Sequence, residues 1–360
     1  MMTNKKIAFV IHSLGRGGAE KVVSELSIHW QNKGYDITLV LFVNEIGYPF
    51  GGKVINLNLP SGNGFIKRGF ILLKRAWKLR KVYKKENFDF IIAIMESASF
   101  PSILADKRTI ASNHCNPDLY FSDIEWKLSS YVFPKAQQVV CVSKVAMQAF
   151  KSRLISSTHL LTIYNPIDFK RLNHYAQQSP QVKIIGKYII AVGRLEQQKR
   201  LDRLIQAYSE SKLSCEAKLL ILGEGSLRYQ LERQIKDLGL IGKVLMPGNI
   251  ENPHPNIVEA EFLALSSDHE GFPMVLIEAL AIGKPVISTD CATGPNEIIQ
   301  HGQNGLLVPV ENTPALRDAL DELYFNKALH QHLKANAVNS VAHLSIEAIA
   351  AQWEALAWKV

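Results

Sequence analysis

The chain reads as an α/β protein built from two doubly wound, Rossmann-like parallel sheets. Three observations lead there. Short apolar runs of strand length alternate with helical stretches along most of the sequence. The alternation lapses in a polar segment after Asp168 and restarts at Tyr188, so one architecture occurs twice. And 360 residues exceed what a single hydrophobic core usually organises. The expected boundaries are 1–168 for the first domain and 169–345 for the second, with a final helix over 346–360 after it.

Composition narrows the class. Apolar residues make up 47% and charged residues 21%, the balance of a folded soluble protein rather than a disordered one. Met1 to Lys6 is polar and runs straight into a strand pattern, so no secretory leader is expected. No apolar run reaches bilayer-spanning length. Cys115, Cys141, Cys215 and Cys291 lie far apart without metal spacing, which predicts four small apolar side chains in a reduced, cytoplasmic protein. The net charge of +8 admits nucleic acid, an anionic membrane face or anionic substrates as partners.

Taken in order, Ile7 to Leu14 is a buried-strand pattern entering Gly15-Arg16-Gly17-Gly18-Ala19-Glu20, followed by a helix from about Glu20 to Gly34. This is the opening unit of a doubly wound sheet. The dinucleotide fingerprint is not matched, and from this piece alone a tight turn without a ligand fits equally well. Asp36 to Val43 and Lys53 to Leu59 read as strands. Phe65 to Lys85 then carries nine Lys and Arg and no acid. Lys67, Lys74, Lys78, Lys81 and Lys85 fall on one helical face, with Phe65, Leu72, Ala76, Leu79 and Tyr83 opposite. Such a helix suits an anionic bilayer or a pyrophosphate-bearing lipid, though a solvated charged face over a core stripe has the same pattern. Trp77 and Phe70 belong to neither stripe, as interfacial aromatics do. Nucleic acid is disfavoured because no recognised module accompanies the charge.

Phe88 to Met95, Arg108 to His114, Gln137 to Ser143 and Leu160 to Tyr164 continue the strands. The second of them delivers His114 to the carboxyl edge of the sheet, where open α/β sheets bind ligands. A loop histidine often does no more than satisfy local hydrogen bonds. After a polar, structurally vague segment to about Gly186, Tyr188 to Gly193 restarts the pattern, followed by Lys218 to Gly223, Val244 to Pro247, Phe262 to Ser266, Pro285 to Thr289 and Gly305 to Pro309. The last helical run, Ile346 to Lys359, carries Trp353 and Trp358 as expected core aromatics.

The most informative stretch is Ser267-Asp268-His269-Glu270-Gly271-Phe272-Pro273-Met274-Val275-Leu276-Ile277-Glu278-Ala279. Pro273 fits the first turn of a helix to about Ile282, which places Glu270 in the loop at the helix N-terminus and Glu278 inside the helix. Open first-turn amides suit phosphates and sugar oxygens, and a carboxylate suits a vicinal diol. This string, with Gly283-Lys284-Pro285-Val286 and Asn304-Gly305-Leu306-Leu307-Val308 after it, resembles the Glu-x7-Glu signature of the retaining, nucleotide-sugar-dependent glycosyltransferases of family 4. The resemblance is strong from Gly193 to Pro309 and weaker before residue 150.

The resemblance implies the GT-B fold, two Rossmann-like domains facing a cleft, with the final helix over 346–360 packing back on the first domain. Gly-Gly-Ala-Glu after the first strand recurs in the family, and Asn165-Pro166-Ile167-Asp168 resembles its interdomain junction. Arg194 and Lys199 match its Gly-Arg-Leu-x-x-x-Lys motif, which grips the donor diphosphate; Arg forks onto phosphate oxygens and Lys adds a point charge. His114 corresponds to a histidine that contacts the donor sugar. Glu270 would hold sugar hydroxyls, and Glu278 the ribose diol. The expected catalytic residues are His114, Glu270, Arg194 and Lys199. The expected donor-binding set adds Gly17, Gly18, Gly223, Gly271, Phe272, Met274, Val275 and Glu278. No Asp-x-Asp pair occurs, so no metal or other cofactor is expected. The implied function is sugar transfer, most simply from a UDP-sugar, to a lipid-linked or lipopolysaccharide-type saccharide at the inner face of a bacterial membrane. The residues leave open a sugar-nucleotide epimerase or phosphorylase of the same fold, and a non-catalytic basic protein that binds membrane or nucleic acid.

Overall fold

The computed structural model describes residues 5–62, 65–154 and 158–357; the side chains of Phe65 and Ile66 are outside the description. The chain divides into two compact units, Met1–Pro166 with Ile346–Val360, and Ile167–Ser345.

In the first unit the strands are β1 (Lys6–Ile11), β2 (Asp36–Leu41), β3 (Lys53–Asn56), β4 (Phe90–Ile94), β5 (Thr109–Asn113), β6 (Gln138–Cys141) and β7 (Leu160–Thr162). They pair in parallel in the order β3-β2-β1-β4-β5-β6-β7. In the second unit β8 (Tyr188–Val192), β9 (Lys218–Leu222), β10 (Val244–Gly248), β11 (Leu263–Leu265), β12 (Val286–Thr289) and β13 (Gly305–Val308) pair in parallel as β10-β9-β8-β11-β12-β13. The central strands read as uninterrupted apolar runs because helices cover both faces of a parallel sheet. Each sheet reverses its order once, between β1 and β4 in the first unit and between β8 and β11 in the second. Those reversals open the crevices in which such sheets bind ligands.

Each unit has its own apolar core. Phe9, Trp30 and Phe90 pack as an aromatic group beside β1 and β4. The C-terminal helix Ile346–Ala357 docks on the helix Gly18–Asn32, where Trp30 Nε1 donates to Glu354 Oε1 at 3.0 Å. Trp353 is buried; Trp358 lies outside the described residues.

Several sequence expectations are corrected. Pro273 caps its helix, Met274–Ala281, with extended backbone, and does not sit in the first turn. The vague segment after Asp168 contains a helix, Phe169–Ala176, whose start is held by Asp168 Oδ1 accepting from the Arg171 N–H at 3.0 Å. Cys215 is exposed, whereas Cys115, Cys141 and Cys291 are buried as expected.

The basic helix forms as Phe65–Glu86. Ala76, Leu79 and Tyr83 are buried and Leu72 is half-buried. Lys67, Lys74, Lys81 and Lys85 are exposed, but Lys78 is not part of a free charged face: its Nζ donates to the Leu57 carbonyl at 3.0 Å. Arg75 points inward and is buried.

Candidate functional site

In the second unit the crevice lies between the strand-end loops of β8 and β11. The β8 loop turns through Gly193-Arg194-Leu195, passes a 3-10 turn at Gln197–Lys199, and reaches Arg200 in the left-handed region at φ +45. The β11 loop brings Glu270 against it. Lys199 Nζ and Glu270 Oε1 form an ion pair at 2.5 Å, and Ser267 Oγ donates to the same oxygen at 2.6 Å. Glu270 is only 6% exposed, so its charge needs these partners.

Surrounding bonds fix the pair. Gln198 Nε2 donates to the His269 carbonyl at 2.8 Å, and the Asp268 N–H donates to the Gln198 carbonyl at 3.0 Å. Asp268 receives Arg203 Nη1 at 2.7 Å and Arg200 Nη1 at 3.0 Å. From the β12 side, Thr289 Oγ1 donates to the Ser267 carbonyl and Thr293 Oγ1 to the Glu270 carbonyl. Three loops at one sheet edge are thus tied into one unit. Arg194 is exposed beside this pair, with Gln198 Oε1 at 3.5 Å from its Nη2.

Two glycines are required sterically. Gly223 has φ +151, and a Cβ there would lie 1.9 Å from the Gly193 carbonyl oxygen. Gly294 has φ +90 and lies against Gly271 and Pro273, where a Cβ would meet the Gly271 oxygen at 2.8 Å. The strand-end loops therefore touch backbone to backbone.

The helix Met274–Ala281 begins at this crevice. Its Leu276 N–H bonds to the Pro273 carbonyl at 3.1 Å, while the Met274 and Val275 N–H groups precede any intrahelical acceptor. Phe272 and Met274 are buried. Glu278, one turn into the helix, is 6% exposed, and its Oε2 lies 3.3 Å from His254 Nε2. His254 was not singled out in the sequence. Nothing but a Pro-His-Pro tripeptide marks it, and its value comes from a fold contact 24 residues away.

In the first unit the crevice between β1 and β4 is occupied by Arg75. Its Nε and Nη2 donate to the Leu59 carbonyl at 3.0 and 2.7 Å, and its Nη1 to the Ser97 carbonyl at 3.2 Å. Its Nη2 is 3.3 Å from His12 Nδ1, and the guanidinium lies 4.0 Å from the Phe42 ring centroid. Burial lowers Arg75 to about 10. Burial, then the Arg75 charge, lowers His12. Arg75, one of the nine Lys and Arg counted in that stretch, ties the loops after β1 and β4 together.

Gly17 caps the helix Gly18–Asn32 at the end of the β1 loop. His114 follows β5. Its Nε2 lies 2.9 Å from Ser112 Oγ, and its Nδ1 is buried with no hydrogen-bond partner among the described residues. Burial pushes the ring down to about 4, so it is neutral at physiological pH. Beside it, Met95 has φ +66 and its N–H donates to the Ser112 carbonyl at 2.8 Å. Glu96 follows, with Oε2 buried and unpartnered among the described residues and its pKa raised by burial. Strain of this kind gathers at functional sites, and no local residue pattern marks it.

Among the described residues no three His, Cys, Asp or Glu side chains converge as a metal-ligand group.

Residues 16–171 match the model described as Glycosyltransferase Family 4, and residues 177–340 the model described as Glycosyl transferases group 1. The N-acetylgalactosamine-N,N'-diacetylbacillosaminyl-diphospho-undecaprenol 4-alpha-N-acetylgalactosaminyltransferase of Campylobacter jejuni is 31% identical, over 92% of this chain and 94% of that protein. The chain belongs to the family 4 glycosyltransferases. A second relative of this glycosyltransferase, the N-acetyl-alpha-D-glucosaminyl L-malate synthase of Bacillus anthracis, is 30% identical over 96% of this chain and 94% of its own. The structure of HepE from Anabaena, solved in complex with UDP and glucose, matches with a TM-score of 0.81 at 20% identity, covering 97% of this chain and 98% of that one. The fold of the glycosyltransferase is therefore GT-B: two parallel α/β sheets, one per unit.

Proposed function

We propose that this glycosyltransferase moves a sugar from a UDP-sugar, with retention and without a metal ion, onto a lipid-linked saccharide at the inner face of a bacterial membrane. The observation that carries the donor half is the Lys199–Glu270 pair at the crevice between β8 and β11, with Arg194 beside it. Two cations meet the leaving diphosphate where open α/β sheets bind ligands. Glu270 holds Lys199 in place, so little reorganisation is needed when charge develops on the phosphate. Backbone amides of Met274 and Val275 meet donor oxygens, Glu278 takes the ribose diol, and Gly17, Gly18 and Gly223 let the backbone approach the donor. His114 supplies its unpartnered Nδ1 to a donor-sugar hydroxyl as a neutral group.

In the transfer, the bond from the anomeric carbon to the diphosphate oxygen breaks while the acceptor oxygen bonds to the same face of that carbon. The leaving diphosphate takes the acceptor's proton. No protein nucleophile is required.

The acceptor half is supported by the Campylobacter relative, whose name specifies a diphospho-undecaprenol-linked saccharide, and by the helix Phe65–Glu86. Lys67, Lys74, Lys81 and Lys85 are exposed there, together with Phe70 at 68% and Trp77 at 57%. Lys81 Nζ lies 3.6 Å from the Trp77 ring centroid. Basic and aromatic side chains interleaved on one exposed helix suit an anionic lipid surface or a lipid pyrophosphate. Among the described residues no helix is long and apolar enough to cross a membrane.

A specific observation favours a second acceptor class: the Bacillus relative at 30% identity is named for malate. One assay separates the two. Purified protein is incubated in EDTA with UDP-, GDP- or ADP-sugars and either a polyprenyl-diphosphate-linked saccharide or malate. The proposal expects a product with retained configuration from a UDP-sugar and the lipid-linked acceptor. A malate glycoside alone overturns the acceptor, and loss of turnover in EDTA overturns metal independence.

A further inference from the structure

The loop after β10 and the segment after Asp168 meet around His254, and their hydrogen bonds assign its protons. Asn252 Nδ2 donates to the Tyr175 carbonyl at 2.9 Å and to Gln178 Oε1 at 2.8 Å. Two oxygen acceptors fix which end of the amide is the nitrogen. Asn252 Oδ1 is then the atom that faces His254, 2.7 Å from Nδ1 and accepting the His254 backbone N–H at 3.2 Å. Nδ1 accordingly carries a proton.

The opposite ring nitrogen, Nε2, is 3.3 Å from Glu278 Oε2. An imidazole protonated only on Nδ1 would turn a lone pair toward a carboxylate oxygen, which repels it. One proton therefore lies between Nε2 and Oε2. Both residues are 6% exposed, so the contact is shielded from water. Tyr175 stacks on the ring with centroids 6.1 Å apart and planes at 13°, which holds its orientation. Gln181 Oε1 accepts the Glu251 and Asn252 N–H groups at 3.0 and 3.1 Å and fixes the loop itself.

We propose that His254, protonated on both nitrogens, is a positioning residue for donor recognition: it holds Glu278 ionised and in the rotamer that accepts the donor's ribose diol. The inference deepens the reading of Glu278 given under Proposed function and rests on it. Glu278 lies inside a mostly apolar helix, where a buried carboxylate relies on hydrogen bonds. A charge-assisted N–H from His254 supplies one of them. The helix Phe169–Ala176 acts on the donor site through Tyr175 and Asn252 without touching the donor.

The test is isothermal titration of the full chain with UDP, GDP and ADP and their 2′-deoxy counterparts. The proteins are wild type, His254→Phe, His254→Gln and Glu278→Ala. Loss of a charge-assisted hydrogen bond is expected to weaken the preferred ribonucleotide by about tenfold or more in His254→Phe. The 2′-deoxy nucleotide should be affected far less, so discrimination between the two collapses. His254→Gln, which keeps an N–H donor, should retain most of it. Turnover at saturating donor should fall less than donor affinity. Long-range nitrogen–proton spectra of the ring should show both nitrogens protonated at neutral pH. An unprotonated Nε2, or equal weakening of the ribo- and deoxynucleotide in His254→Phe, overturns the proposal. So does loss of discrimination in His254→Gln as complete as in His254→Phe. If His254→Phe does not fold, the Gln variant and the ring spectrum decide. The underlying reading fails separately: Glu278→Ala that still discriminates ribose from deoxyribose removes Glu278 from the ribose. Loss in Glu278→Ala with discrimination intact in His254→Phe removes only His254.

Discussion

Glu270 illustrates how much one side chain depends on its neighbours. Its carboxylate is buried, and Lys199 and Ser267 meet it at one oxygen. Removing Lys199 leaves that charge uncompensated, at a cost of about 3–5 kcal/mol. Lys199→Ala should therefore lower the unfolding midpoint in urea, and Lys199→Met with Glu270→Leu should recover much of the loss while remaining inactive. Gly223 makes a steric prediction of the same size class. A methyl group would meet the Gly193 oxygen, so Gly223→Ala should cost roughly 3 kcal/mol in the same measurement. His114 predicts a pH dependence. Its folded pKa of about 4 lies below the ordinary 6.5, so the unfolded chain binds its proton first as pH falls. Its contribution is a loss of stability that begins below about 6.5 and is complete near 4. Thermal melts of wild type and His114→Asn over that window should diverge, the variant losing less. Lys199, Glu270 and Glu278 were legible through the motifs that carry the family resemblance, because each motif is confined to one loop and the start of the helix after it. His254, Arg75 and Glu96 were not, because each acquires its role from a neighbour far away in sequence.

At the scale of elements, the helix Phe65–Glu86 shows both what a pattern reveals and what it hides. Its period placed Ala76, Leu79 and Tyr83 on the core side, where they are buried. It could not show that Arg75 turns into the crevice or that Lys78 is taken up by the Leu57 carbonyl. The exposed remainder makes the membrane prediction specific. Each basic residue near an anionic surface contributes about 1 kcal/mol, so reversing Lys74 and Lys81 to Glu should reduce sedimentation with anionic vesicles by roughly tenfold or more. Trp77→Ala should weaken vesicle binding without changing its salt dependence. Binding that is unchanged in the charge-reversal variant would assign these lysines to solvent. The helix Phe169–Ala176 was missed for a different reason. Its eight residues carry one buried apolar side chain, Leu172, too little to declare a face.

For the whole molecule, two units with separate cores make ligand effects divisible. A nucleotide bound at a hundredfold excess over its Kd stabilises what it binds by about 2.7 kcal/mol. Hydrogen exchange with UDP in EDTA should slow amides in 188–294, and Glu278→Ala should abolish the change. The sequence by itself determined the fold class, the repeat of one architecture, the family and the donor-side motifs. The first two depend on local periodicity, and the last two on a resemblance carried by motifs that are short in sequence. Only the tertiary structure decided which strands flank each crevice, that Lys199 and Glu270 meet there, and that His254 stands behind Glu278. Strand order is set by packing of helices over the sheet, and a buried charge is held by whatever partner that packing delivers, neither of which is written in adjacent residues.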